Sequence, residues 1–170
     1  MHDFFTTRSA DSMNVTGSQS HLAAVADPRF LVQRVVDQAL SYASGGPLAW
    51  ERRAEARRTL AVPLIATPAD SNGQFDVENS IPAIGKNIGH RGIGFFTRHP
   101  INSRSTLVWL QTAPQSLIPV RVDLRWCRKS AVGWLEHGGY LLELWHGPPW
   151  PADVVRAAAQ KSWHRVSPDL

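Results

Sequence analysis

Apolar positions first fall into a regular pattern at Pro28. In PRFLVQRVVDQALSYAS, the residues Leu31, Val32, Val35, Val36, Ala39 and Leu40 recur at three- and four-residue steps, with Arg34, Asp37 and Gln38 on the other side. That spacing predicts an amphipathic helix of about four turns. Asp27 is placed to cap it, Pro28 suits its first position, and Gly45, Gly46 and Pro47 stop it. The apolar face needs a partner, either the body of the domain or a second chain. From Thr59 the period becomes two. LAVPLIATP puts Leu60, Val62, Leu64 and Ala66 on one face, and Pro63 marks it as an edge strand. GIGFFTR and STLVWLQT follow, then PVRVDLRW, with Val120, Val122, Leu124 and Trp126 opposite Arg121, Asp123 and Arg125. GGYLLELW sets Tyr140, Leu142 and Leu144 on one face. Ser71-Asn72-Gly73 and Ala113-Pro114 are turn signals. Five or six short strands separated by turn residues predict a small antiparallel barrel or sandwich, mainly β. Gly147 to Pro151 breaks the sheet, and PADVVRAAAQKSWHRV predicts a closing helix with Val154, Val155, Ala158 and Trp163 packing down. The expected organisation is a disordered tail over 1–20, the amphipathic helix within 21–47, the β domain over 48–147 and a C-terminal helix over 148–170.

Composition narrows the chemistry. With 43% apolar and 19% charged residues, the 170-residue chain has the usage of one folded domain, which excludes wholesale disorder. No apolar run approaches the length of a membrane span, and the N-terminus lacks the pattern of a secretory leader, so the expectation is a cytoplasmic protein with no membrane insertion. The single cysteine, Cys127, cannot form an internal disulfide; following Trp126 in a strand, it reads as a packed residue. The seven His show no ligand spacing, and no G-x-S-x-G elbow is present, so neither a metal site nor an enzyme is expected. Of seven Trp, Trp109 and Trp126 fit strand cores, and Trp50, Trp145, Trp150 and Trp163 fit the contacts of the helices with the β domain. The net charge of +4 divides into −1 over residues 1–50 and +5 over 51–170, and 15 of the 18 basic residues are Arg. That surplus is too modest for duplex nucleic acid. Arg and Trp on a small barrel also fit a single-stranded oligonucleotide, although core packing accounts for most of the Trp.

Two segments concentrate the candidate chemistry. ERRAEARR, residues 51–58, places Arg52, Arg53, Arg57 and Arg58 just ahead of the first strand. Read by itself it fits a polyanion-binding loop, or a solvated turn in which Glu51 and Glu55 pair with Arg. KNIGHRGIGFF, residues 86–96, carries Asn87, His90 and Arg91 among Gly89, Gly92 and Gly94. It fits a ligand-cradling bend, or a bulged turn between strands. In this order and strand context the two resemble the PilZ domain. Arg53-x-x-x-Arg57 matches that family's R-x-x-x-R loop, and Asn87 to Gly92 matches its D/N-x-S-x-x-G motif with Gly89 in the place of Ser. VRVDLRWCR and GGYLLEL are similar to its later strands, so the resemblance covers about residues 50–145.

The resemblance implies a six-stranded antiparallel β-barrel with flanking helices. It also implies a non-enzymatic receptor for cyclic di-GMP that needs no other cofactor. Arg53, Arg57, Asn87, Gly89 and Gly92 would form the site, supported by Arg52, Arg58 and Arg91. Ligand would order the Arg-rich loop, and the N-terminal helix would meet a protein partner or a second copy. The alternative is a ligand-silent adaptor of the same fold.

Overall fold

The computed structural model describes residues 27–43, 57–131 and 133–164. Helix α1 (Pro28–Ala43) is capped by Asp27, whose carboxylate accepts from the Arg29 N–H at 3.0 Å. Seven strands follow among the described residues: β1 (Arg58–Thr59), β2 (Pro63–Pro68), β3 (Ile81–Ile88), β4 (Gly92–Thr97), β5 (Ser105–Ala113), β6 (Ser116–Lys129) and β7 (Leu135–Leu144). Helix α2 (Ala152–His164) closes the described chain. All pairings are antiparallel, and the order β3-β2-β5-β6-β7-β4 returns to β3, so six strands close a barrel. The mainly β, six-stranded fold with a helix on each side is the expected one.

The predicted strand LAVPLIATP is broken. β1 and β2 run along the same side of β3, and residues 60–62 bend between them. The bend brings the Leu60 carbonyl over Gly85, where any Cβ would stand 2.1 Å from that oxygen. Pro63 marks no edge: it is the first residue of β2, which pairs with both β3 and β5. There the missing N–H costs little.

Two apolar clusters hold the elements together. Val32, Val35, Val36, Ala39 and Leu40 of α1 join the inward residues of the barrel, among them Leu60, Ile88, Ile93, Phe95, Val108, Val120 and Val122. The partner of the helix face is therefore the body of the domain. α2 lies on the outside, where Val155 and Ala158 bury Val77, Leu107 and Trp109, with Trp145 and Trp150 alongside. Val154, expected to pack down, is 40% exposed, one residue off that buried face. Trp163 is 38% exposed and meets Trp134 and the Arg98 guanidinium, the latter 4.5 Å from its ring centre. On β7, Leu141 is buried, whereas Tyr140 and Leu142 are exposed. The ladder with β6 slips between Arg121 and Val122, pairing them with Glu143 and Leu141, so the expected continuous face breaks at Leu142.

Candidate functional site

Two bulges build the site. Strict alternation sends neighbouring side chains to opposite faces. The β3–β4 ladder slips between Gly85 and Asn87, leaving Lys86 as the extra residue, and Lys86 and Asn87 line one outer cavity together. The β6–β7 ladder slips between Leu124 and Trp126, leaving Arg125 unpaired. The inward row of Val120, Val122 and Leu124 ends there, and Trp126 turns outward, 41% exposed. The expectation of a core position for Trp126 is thereby corrected. Cys127, beyond the same bulge, is exposed rather than packed.

The cavity has a volume of about 390 Å3. Arg57 enters it from ahead of β1, Lys86 and Asn87 from β3, Gly94 from β4, Glu136 from β7, and Trp126 with Arg128 from β6. Arg57 Nη1 donates to Asn87 Oδ1 at 3.4 Å. A Cβ on Gly92 would lie 3.2 Å from Arg57 Nη2, and one on Gly94 would lie 2.9 Å from Asn87 Oδ1. These two glycines leave room for the pair. Trp126 lies across the Gly138 backbone, where a Cβ would meet its ring at 2.2 Å, and the Arg128 guanidinium sits 5.2 Å from a Trp126 ring centre. Among the described residues, three cations and one carboxylate line the cavity. Burial opposes ionisation of Glu136, but hydrogen bonds and charge from Lys86 and Arg128 outweigh it and hold the carboxyl below its ordinary range.

The structure therefore brings Arg57, Asn87 and Gly92 together. Arg52 and Arg53 lie outside the described residues. Gly89 is buried and does not line the cavity; its N–H donates to the Gly92 carbonyl at 2.9 Å. Arg58 is exposed on β1 and does not line it either. Arg91 and His90 line a separate cavity of about 700 Å3 between the start of α1 and β7, together with Arg29, Phe30, Tyr140 and Leu142. The sequence motifs do not mark Lys86, Trp126, Arg128 or Glu136 as site residues. The adjacency of Lys86 to Asn87 and the Arg-Trp-Cys-Arg run were the available signals.

Behind the cavity, His137 is fully buried and stacked on Phe95. Thr97 gives its hydroxyl hydrogen to the His99 carbonyl at 2.6 Å, so His137 Nε2 donates to Thr97 Oγ1 at 2.8 Å. Burial pushes the imidazole below its ordinary value, keeping it neutral. Although Cys127 is exposed as a residue, partial desolvation of its sulfur pushes the thiol up. The 4.0 Å contact between Cys127 Sγ and His137 Nε2 therefore lacks the charge pairing of an activated thiolate. Among the described residues, no three His, Cys, Asp or Glu side chains are grouped to hold a metal. No described helix is long and apolar enough to cross a membrane.

No protein-family model matches the chain, and no curated protein matches it. Among solved structures it is similar to MrkH, a c-di-GMP-dependent transcription regulatory factor, at 13% identity and a TM-score of 0.35. That match covers 69% of this chain and 52% of the other, so the chain spans about half the length of MrkH. It is also similar to the PilZ domain of YcgR from Escherichia coli, solved with c-di-GMP, at 7% identity and a TM-score of 0.35, over 70% of this chain and all of the other. Likeness at this level carries nothing about the site.

Proposed function

We propose that the chain is a receptor module for cyclic di-GMP, with Arg57, Asn87, Lys86, Arg128 and Trp126 as its contacts. The observation that carries this reading is the contact of the Arg57 guanidinium with the Asn87 carboxamide, in a cavity whose described lining holds an exposed indole and three cations to one carboxylate. The ligand has two phosphates and two guanines. Arg forks match phosphate oxygens and the O6/N7 edge of guanine, an amide reads a base edge, and an indole offers a stacking surface. Arg52 and Arg53 join from the preceding loop, as the R-x-x-x-R resemblance implies, and the ligand orders that loop. The module acts by binding rather than catalysis, in the cytoplasm, and passes the signal to a protein partner.

Calorimetric titration with cyclic di-GMP tests the reading. Saturable, salt-sensitive binding is expected, weakened at least about tenfold by Arg57→Ala, the size of a lost charge-assisted bond. Absence of heat at high micromolar ligand rejects it. A ligand-silent adaptor is the second reading. It is favoured by Gly89, which lacks the hydroxyl of the motif Ser, and by Phe30, 69% exposed beside Tyr140 and Leu142.

A further inference from the structure

Among the described residues Glu136 is the one carboxylate lining the cavity, and both its oxygens hold groups that an anionic ligand needs. Lys86 Nζ is 2.5 Å from Oε1, and Arg128 Nε and Nη2 lie 3.1 and 3.0 Å from Oε2. The strand register explains the convergence. Glu136 stands opposite Arg128 across β6–β7 and opposite Phe96 across β4–β7. Lys86 reaches it from β3 by passing over the Phe96 ring, 5.5 Å from the ring centre. The Glu136 side chain is 8% exposed, whereas Arg128 is 65% exposed, so the acid is fixed beneath cations that still face solvent.

Carboxylate and phosphate oxygens compete for the same charged donors. We infer that Glu136 acts as an internal occupant of the anion-binding position, holding Lys86 and Arg128 until a phosphate takes them over. It sets the affinity of the cavity and confines binding to ligands with enough negative charge to displace it. This rests on the receptor reading for its natural ligand, but the exchange itself concerns any phosphate-bearing anion. A residue that merely oriented Lys86 and Arg128 would have the opposite effect when neutralised.

The test is titration of the wild-type chain, Glu136→Gln and Glu136→Ala with cyclic di-GMP and, separately, with inorganic pyrophosphate, after thermal unfolding has shown each variant folded. Removing one like charge a few ångströms from a bound phosphate is expected to tighten binding of both probes by about tenfold or more and to steepen its salt dependence. Glu136→Ala guards against an amide that itself disturbs Arg128. Unchanged or weaker pyrophosphate binding by both variants overturns the inference. If pyrophosphate binding tightens while cyclic di-GMP binds no form, the exchange stands and the receptor reading falls. If neither probe binds any form, both fall.

Discussion

Gly138 decides where Trp126 can lie. The indole crosses the backbone at a point where any side chain would overlap it, with Cζ2 and Cε2 at 2.2 and 2.3 Å from a Cβ. Because that ring is part of an exposed side chain, it can swing away without breaking the sheet. Gly138→Ala is therefore expected to change unfolding free energy by less than about 1 kcal/mol. It should still shift the tryptophan emission and weaken cyclic di-GMP binding; wild-type affinity would show that the indole takes no part. At this scale the sequence was informative where motif order marked residues, as at Arg57, Asn87 and Gly92. It was silent for Trp126 and Lys86, because their outward placement comes from bulges that a partner strand imposes. Strict alternation sends Trp126 inward with Leu124, and nothing local to PVRVDLRW contradicts it.

The elements themselves were legible because their apolar periods are strong. α1 buries Val32, Val35, Val36, Ala39 and Leu40, five of the six residues its three- and four-residue spacing selects, and leaves Leu31 half-buried. The break between β1 and β2 was not legible, since it depends on Gly85, which lies on another strand and admits the Leu60 carbonyl. Gly85→Ala forces a Cβ against backbone rather than against a movable side chain. A loss of about 1–3 kcal/mol in urea unfolding is expected. Because β1 leads from Arg57 and β3 carries Asn87, binding should weaken as well. An unchanged midpoint would show that residues 60–62 yield freely. The same two strands explain how the motif halves, 30 residues apart, come to share a hydrogen bond.

At the scale of the molecule, a closed barrel with α1 in its apolar cluster is expected to unfold as one unit, so that buried titrating groups report on global stability. His137 is depressed below its ordinary 6.5 by burial. The unfolded chain then takes up the proton first, and stability, full above about 6.5, declines as pH falls below it. Glu136 is held below its ordinary 4.5, so a second decline follows as pH falls from there through its lowered value. Urea midpoints measured across this range should show both steps. His137→Gln, which keeps a donor for Thr97, should remove the upper one; a midpoint flat from pH 7 to 5 in the wild type would contradict this environment for His137. The six-stranded barrel was legible from strand count and resemblance, whereas the joining of Arg57 to an Arg128–Glu136–Lys86 network required the closed sheet to bring β3, β4, β7 and β6 side by side. The most direct measurement is a heteronuclear NMR titration of the labelled chain with cyclic di-GMP. Saturable shifts are expected at the Asn87 side-chain amide, the Gly92 and Gly94 amides and the Trp126 indole N–H, with the buried Trp109 indole, bonded to Thr67 at 2.9 Å, unmoved. Unmoved Asn87 and Trp126 signals at saturating ligand, or shifts confined to other surfaces, would contradict the assignment of this cavity.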